Sequence, residues 1–215
     1  MAEAGSVVAV AGLAVFPKIF HRVILPVIDR TKVVEEFFDQ VVKESRTIKI
    51  KVRNSSGSSH VLTDCKWHVQ QGYNSGMVKT HLNQGETSHM EFRKNKINCY
   101  GVSGFIEFTY ARTKKVIVRF SVPMRRNRKG NTVIVALLDE SKLSLKEKCK
   151  ISNSDDFHVF LKQLTKQTDA IRFAKSYEGG RHGNPTISDG TIKVTCNLTG
   201  GADATLNVRV SRSRI

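Results

Sequence analysis

Two neighbouring stretches in the middle of the chain alternate between apolar and polar residues. Residues 106–110 and 116–122 both follow this pattern, and a period of two is typical of β-strands that bury one face. Pro123 lacks the amide that a sheet ladder needs, so the second strand is predicted to end there. The pattern therefore predicts a β-hairpin with Lys114 and Lys115 at its turn.

Short segments of the same kind recur along the rest of the chain, separated by polar turn residues. Strands at intervals of roughly ten residues are typical of an antiparallel β-sandwich rather than of βαβ units. Residues 132–138 are almost continuously apolar, which predicts a strand buried on both faces. The last two segments are predicted to pair as a hairpin that closes the domain. Besides the central hairpin, the predicted strands are residues 47–53, 60–70, 77–82, 88–93, 97–100, 132–138, 191–197 and 204–210.

Apolar residues at helical spacing predict two helices beside the sandwich. Residues 31–44 place apolar side chains on one face and charged side chains opposite, as in a helix packed on a sheet. Residues 154–175 interrupt the β pattern, and Ser154 is a suitable N-cap for a helix with acidic residues in its first turn. Ile171 and Phe173 could extend the apolar face of this second helix.

The N-terminal residues 7–28 are the most apolar part of the chain. The stretch is about long enough to cross a bilayer, for which ~20 residues suffice, but it contains two prolines, a lysine and an arginine. Its apolar stripe lies opposite Lys18, His21 and Arg22, which predicts a helix lying in a membrane interface. Glu3 stands where a secretory signal would carry basic residues, so no signal peptide is predicted.

The composition is that of a globular protein with a strong positive charge. Hydrophobic residues make up 40% and charged residues 25% of the 215 residues, which predicts a single packed domain over residues 1–215. There are 35 Lys and Arg against 19 Asp and Glu, a formal charge of +16. This excess favours a polyanionic partner, either nucleic acid or an anionic membrane surface.

Motifs for catalysis and metal binding are missing from the sequence. It contains no G-x-S-x-G, H-E-x-x-H, Walker or C-x-x-C motif, so an enzyme is the least supported class, and we predict no catalytic residue and no cofactor. His60 and His68 would lie on one face of a strand and Cys65 on the other, so no metal site is predicted. The four cysteines could pair in three ways. Asn54 and Asn197 begin glycosylation sequons, which matter only if the chain is secreted.

Several short motifs occur in a particular order along residues 31–211. A helix runs into a strand and an Asn-x-Ser-Gly turn at Asn54, a Gly-x-x-Gly at Gly101 opens the central hairpin, Phe120–Pro123 (Phe-Ser-Val-Pro) ends it, and a helix follows in the last third. This order resembles that of the actinoporin-like pore-forming proteins. The resemblance implies a mainly β fold, an antiparallel β-sandwich flanked by two helices, with an N-terminal amphipathic helical segment. It assigns residues 1–30 to a membrane-active segment, 31–44 to a helix, and 46–215 to the sandwich with a second helix near 155–175.

The resemblance also implies an activity. Proteins of this kind are monomers in solution that dock on lipid headgroups, insert an N-terminal helix and assemble into a homo-oligomeric, cation-permeable pore. The membrane-insertion residues that it implies here are Val10, Leu13, Phe16, Ile19, Phe20, Val23, Ile24, Val27, Phe37 and Phe38. The lipid-headgroup residues that it implies are Ser103, Ser121, Pro123, Arg125, Arg126, Arg128 and Lys129.

The loop after Pro123 departs from the pattern of this family. Actinoporins of sea anemones carry aromatic residues there, which bind a phosphocholine headgroup, whereas this chain has Arg128, Lys129 and Thr132 at the corresponding positions. Aromatic faces attract the choline cation, while cations repel it. We therefore expect anionic headgroups rather than sphingomyelin.

The sequence leaves two other functions open. Fungal fruit-body lectins are similar to the same sandwich without a lytic helix, so a non-lytic module that binds a carbohydrate or an anionic ligand is the alternative. Nucleic-acid binding fits the charge but is disfavoured, because no aromatic and basic motif is recognisable. A lytic protein would be secreted and act at a target-cell membrane, whereas the lack of a signal peptide leaves an intracellular soluble location open.

Overall fold

Alternating burial along the strands divides the chain between two β-sheets. The computed structural model describes residues 45–57, 61–95, 101–124, 130–177 and 184–213. In the first strand Ile48, Ile50 and Val52 are buried and the residues between them are exposed, because successive side chains point to opposite faces. The strands are β1 (Thr47–Ser55), β2 (Thr63–Gln71), β3 (Tyr73–Asn74), β4 (Thr87–Arg93), β5 (Val102–Ala111), β6 (Lys114–Val122), β7 (Thr132–Asp139), β8 (Ile171–Tyr177), β9 (Thr186–Ser188), β10 (Ile192–Leu198) and β11 (Asp203–Arg212).

One sheet has six strands in the order β3-β4-β1-β11-β10-β9. Its pairs are antiparallel except for β1 and β11, which run parallel from Thr47 beside Asp203 to Ser55 beside Ser211. The predicted closing hairpin, β10 and β11, is confirmed. The mainly β sandwich is likewise confirmed, but the sheet is mixed rather than wholly antiparallel, because β11 inserts between β10 and β1.

The other sheet has five antiparallel strands in the order β2-β5-β6-β7-β8. Its centre is the predicted hairpin of β5 and β6, which ends at Val122 as the following proline requires. The turn falls on Arg112 and Thr113 rather than on the two predicted lysines. Lys114 and Lys115 instead begin β6, where they pair with Ala111 and Thr109.

The core lies between the two sheets, and a second apolar cluster lies on the outer face of the five-stranded sheet. Phe92 and Phe120 meet across the core with ring centroids 5.0 Å apart. On the outer face, Phe105, Ile117 and Leu138 pack against the helices described next. Strand β7 is therefore buried on both faces, as its continuous apolar sequence predicts.

Two helices cover this outer face: α1 (Leu145–Ser152) and α2 (Ser154–Gln163). Helix α1 was not predicted, because none of its residues is buried and it has no apolar stripe; it begins with a capping box between Ser144 and Glu147. The cap of α2 is Asn153, whose side chain accepts bonds from the backbone of residues 155 and 156, rather than the predicted Ser154.

The predicted extension of α2 and one predicted strand are wrong. Ile171 and Phe173 belong to β8, where they pair with Leu138 and Ala136 of β7. Residues 77–82 form no strand; an isolated bridge joins Leu82 to Leu62, and the amide of Cys65 in β2 donates to the carbonyl of Thr80. The predicted N-terminal segment, the helix at 31–44 and the strand at 97–100 lie outside the described residues. Among the described helices, none has the length and apolar character needed to cross a bilayer.

Candidate functional site

Positively charged residues are concentrated at one end of the sandwich. This end, which we call the basic end, is where β6 ends, β7 begins and β8 ends. The start of β1 and the end of β4 lie there too, since Thr47 pairs with Arg93 and the neighbouring Arg46 contacts Met124. By sequence, the strand ends and connections at the basic end carry Arg46, Arg93, Lys94, Lys96, Arg125, Arg126, Arg128, Lys129 and Arg181 against Glu44, Glu178 and Asp203.

The charge at the opposite end of the sandwich is close to balanced. Its strand ends and connections carry Glu86, Asp139, Glu140, Asp169 and Asp189 against Lys79, Arg112, Lys114, Lys142, Lys166, Arg212 and Arg214. By sequence, the excess of cations is therefore larger at the basic end than at the opposite end.

The loop that joins β6 to β7 at the basic end is held at both of its roots. Arg46 Nη2 donates to the carbonyl of Met124 at 2.6 Å, and Met124 is itself buried. At the other root, the buried Asn131 donates to the carbonyl of Gly201 at 2.9 Å, in the turn between β10 and β11. The predicted headgroup residues Arg125, Arg126, Arg128 and Lys129 lie between these roots, outside the described residues.

Four polar side chains form a row across the five-stranded sheet next to this loop. Ser103 of β5 pairs with Ser121 of β6, Gln71 of β2 pairs with Ser103, and Thr132 of β7 pairs with Ser121. Directly paired residues point to the same face of a sheet, so these four side chains share one face. It is the outer face, which the helices cover further along the same strands. We call these four residues the polar row. The structure thus brings the predicted residues Ser103 and Ser121 together, and Pro123 follows two residues later.

The members of the polar row differ in accessibility. Ser103 is buried, and its hydroxyl donates to Gln71 Oε1 at 3.3 Å. Gln71, Ser121 and Thr132 are half-buried, as is Pro123. Ser103 is therefore placed to position Gln71, while the other three side chains are open to a ligand.

A buried arginine lies on the same face, two residues before Ser121. Arg119 Nη2 is 3.1 Å from Nε2 of His158 on α2, and both side chains are buried. A guanidinium can only donate, so Nε2 accepts and the imidazole is neutral. Burial first, and then the charge of Arg119, lower the pKa of His158 to about 4. A second contact joins α2 to the sheet, where His68 Nε2 is 2.9 Å from Asp155 Oδ1.

We expect acid to weaken the fold in a pH window set by His158. Its folded-state pKa of about 4 lies below the ordinary value of 6.5, so the unfolded chain binds this proton at higher pH. The stabilisation is complete above pH 6.5, declines as the pH falls, and is lost once the pH passes through about 4. The shift corresponds to about 3 kcal/mol in the free energy of unfolding, which urea denaturation across this window should reveal.

Two glutamine variants separate His158 from the other histidines. In His158→Gln the amide oxygen still accepts from Arg119 but does not titrate, so the share of the pH dependence that His158 supplies should disappear. The loss near pH 4 from carboxylates such as Asp189, whose pKa is lowered to about 2, should remain. His89→Gln, at an exposed position on β4, should keep the wild-type pH dependence. Full acid sensitivity in His158→Gln would show that another group is responsible.

A cavity of about 400 Å³ opens between the helices and the sheet, away from the basic end. Trp67, 43% exposed, forms one wall, and Phe105 and Phe157 line the interior. Lys115 bridges two carboxylates there, with Nζ 2.8 Å from Glu140 and 3.4 Å from Glu107. Burial lowers the pKa of Lys115, but the hydrogen bond to Glu140 and the charge of Glu107 outweigh it, so the net shift is upward.

Of three comparisons with known proteins, the one with solved structures found matches. No protein-family model and no curated protein sequence matches the chain. The crystal structure of the lipid-binding protein Nakanori is similar, with a TM-score of 0.57 and 16% identity over 85% of this chain and 80% of that chain. The two proteins share a β-sandwich fold.

Two further solved structures match more loosely. The lectin XCL of Xerocomus chrysenteron gives a TM-score of 0.46 at 16% identity, over 78% of this chain and 99% of its own. The RahU protein, in complex with a TRIS molecule, gives 0.41 at 13% identity, over 79% of this chain and 97% of its own.

The cysteines and sequons are also placed by the structure. Cys65, Cys149 and Cys196 are free thiols, and burial raises the pKa of Cys65 and Cys196 to about 12. Within the described ranges, no three His, Cys, Asp or Glu side chains are grouped to hold a metal ion. Asn54 is fully buried and donates to the carbonyl of Leu82, so its sequon is closed to glycosylation in the folded protein, whereas Asn197 is exposed.

Sequence reasoning missed four residues around the polar row: Gln71, Thr132, Arg119 and His158. Alternation does place Arg119 and Ser121 on one face of β6. The other three come from different elements, and their proximity depends on strand register and helix placement.

Proposed function

We propose that this protein binds anionic membrane lipids through the basic end of its sandwich. The observation that carries the proposal is the gathering of cations there, while the opposite end is nearly balanced. Each cation near an acidic leaflet contributes about 1 kcal/mol of attraction. The shared fold with Nakanori, a lipid-binding protein, is consistent with this role.

The proposal extends to membrane insertion by the N-terminal segment. The proposed insertion segment precedes Ser45 in the sequence, and the described chain begins at the basic end with Ser45 and Arg46. Burying apolar side chains such as Phe16, Ile19 and Phe20 in a membrane is worth ~1.5 to 3 kcal/mol each. In this proposal the protein is secreted, has no catalytic role, is monomeric in solution and assembles on a target membrane into a homo-oligomeric, cation-permeable pore.

Vesicle experiments test docking and pore formation separately. Flotation and dye release would be measured with vesicles of phosphatidylcholine alone, with added sphingomyelin and with added phosphatidylserine, at low and physiological salt. We expect both signals only with the acidic lipid, and both should weaken with salt because the attraction is screened. Equal flotation with neutral and acidic vesicles would contradict electrostatic docking through the basic end.

Deleting residues 1–30 should abolish dye release while leaving flotation with acidic vesicles largely intact. The deletion removes the proposed insertion segment but none of the described residues of the sandwich. Circular dichroism would confirm that the β fold is retained. Unchanged dye release by the shortened protein would rule out insertion of this segment.

A carbohydrate-binding function is the second candidate, and the cavity favours it. The apolar rings of Phe105 and Phe157 line the cavity, while Glu107, Lys115 and Glu140 can hydrogen-bond the hydroxyl groups of a sugar. A volume of about 400 Å³ suits a small ligand. Binding on a glycan array, combined with no flotation in any vesicle mixture, would favour this function over the first.

A further inference from the structure

The outer face of the six-stranded sheet carries exposed cations that the proposed function does not use. The inner face of this sheet supplies the core, so the residues that alternate with the buried ones point outward. The described helices cover the other sheet. On β1, β10 and β11 the outward positions hold five exposed cations: Lys49, Lys51, Arg53, Lys193 and Arg209.

The backbone positions of these five cations form a continuous line, which we call the cation track. Lys49, Lys51 and Arg53 follow one another along one face of β1 at intervals of ~6.6 Å. Arg53 pairs directly with Arg209 on β11, one strand spacing of ~4.8 Å away. Lys193 of β10 lies diagonally from Arg209, at ~7–8 Å. The track is therefore roughly 25 Å long, and a single linear polyanion can meet each cation in turn.

The charge of the cation track is not neutralised within the described part of the chain. Among those residues, no carboxylate forms an ion pair with any of the five cations. Glu91 of β4 lies opposite Lys49, but its carboxylate is engaged by Arg93 Nε at 2.6 Å. Arg53 and Arg209 lie directly opposite each other, and like charges in such pairs destabilise a sheet. An anion from outside the chain would relieve this repulsion.

The side chains around the track distinguish between classes of polyanion. The outward neighbours of the cations are hydroxyl and amide side chains, such as Thr195, Thr205 and Asn207, which both donate and accept and so suit sugar hydroxyls. Along the described strands β1, β10 and β11, no outward side chain is aromatic or apolar. The face therefore lacks the stacking platforms of single-strand binders, and a flat sheet face does not enter a DNA groove.

We propose that the cation track binds a linear sulfated polysaccharide. Its sulfate groups lie against the five cations, and one sulfate between Arg53 and Arg209 turns their mutual repulsion into attraction for the ligand. The hydroxyl and amide side chains between the cations bond to the sugar hydroxyls. Sulfation is needed because cations at these short intervals require closely spaced anions. The track is separate from the basic end and from the cavity, so the inference does not rest on lipid binding.

Heparin is the probe for this inference. Its binding to the full-length protein would be compared with that of hyaluronan, which has carboxylates but no sulfates, and of duplex DNA, over a range of salt concentrations. We expect heparin to bind at least tenfold more tightly than either, with an affinity that falls steeply with salt as counterions are released. Equal or tighter binding of hyaluronan or DNA would overturn the inference.

A triple variant tests whether the track is the binding site. Lys51→Gln, Lys193→Gln and Arg209→Gln together should weaken heparin binding at least tenfold. The slope of log affinity against log salt should become shallower by about two to three, because three contacts with the polyanion are lost. The urea midpoint should not fall, since removing Arg209 relieves its repulsion with Arg53. A purely structural role for these side chains would instead lower the midpoint.

A matched control variant removes the same residue types from exposed positions away from this face: Lys146→Gln, Lys148→Gln and Arg112→Gln. It should keep the wild-type affinity and salt slope. Equal losses in the two variants would mean that net charge governs heparin binding, which would overturn the inference. A loss of flotation with phosphatidylserine vesicles as large as the loss of heparin binding would also overturn it, because the face would then be a membrane surface. Failure of the wild-type protein to bind acidic vesicles would reject only the lipid-binding proposal.

Discussion

Replacing the four cations of residues 125–129 by glutamine is expected to weaken binding to phosphatidylserine vesicles by about a thousandfold. Each cation contributes about 1 kcal/mol near an acidic leaflet, and about 1.4 kcal/mol corresponds to a factor of ten in affinity. The roots of the loop are fixed by Arg46 and Asn131, whose contacts go to backbone carbonyls that the substitution leaves in place. The fold should therefore be retained, and flotation at low salt measures the loss.

A second quadruple variant controls for net charge. Glutamine at Lys142, Lys146, Lys148 and Lys166 removes four exposed cations along the 3-10 turn at Glu140–Lys142, helix α1 and the loop after α2, away from the basic end. It should reduce binding only slightly, because these residues do not face the membrane in the proposed orientation. A loss as large as that of the loop variant would mean that net charge, and not the basic end, governs binding.

Replacing Gly104 by alanine is expected to cost about 3 kcal/mol or more in the free energy of unfolding. An added Cβ would lie 2.2 Å from the carbonyl oxygen of His68 and 3.2 Å from the ring of Phe120. The oxygen belongs to the backbone of β2, so relief requires moving that strand away from β5. Urea denaturation would measure the loss, and the change should also disturb the neighbouring Ser103 and Gln71.

Gly190→Ala provides the reference for this substitution. Gly190 has a φ of +90° but nothing within 4 Å of an added Cβ, so alanine meets only backbone strain of roughly 1 kcal/mol. The Gly104 variant should lose clearly more. Equal losses would show that β2 and β5 can separate at little cost, and the polar row would then not be rigidly held.

The local features of the fold were predictable because their signals lie close together in sequence. The hairpins of β5 with β6 and of β10 with β11 follow from alternating residues on each side of a short turn. The Gly-x-x-Gly at Gly101 was noted as a motif, and the structure supplies its physical reason. A Cβ at either glycine would meet backbone atoms of a neighbouring strand, at Val122 for Gly101 and at His68 for Gly104.

Features that depend on distant residues were not predictable in the same way. The parallel pairing of β1 with β11 could not be predicted from alternating residues, because the apolar and polar pattern of a strand does not depend on which strand it pairs with. Strand β8 was interpreted as helix because Ile171 and Phe173 follow a helical segment, yet their spacing of two residues fits a strand. Helix α1 is held by its capping box and lacks a buried face, so periodicity could not find it.

Only the part of the candidate site that lies within one segment of the chain was predictable. A run of cations after a proline is visible in sequence, and it marks the loop. The polar row and the contact between Arg119 and His158 require the register of four strands and the position of α2. Chemistry that one segment carries can be found from sequence, whereas chemistry assembled from several segments needs the structure.

The parallel pair at the centre of the six-stranded sheet also affects how the protein is made. Strand β1 is among the first parts of the sandwich to leave the ribosome, but one of its two neighbours, β11, is nearly the last. Until β11 is released, β1 exposes an unpaired edge and β10 has no partner on that side. The sandwich can therefore close only after β11 has been released, and a chain truncated before Asp203 would lack the strand that joins the two halves of the sheet.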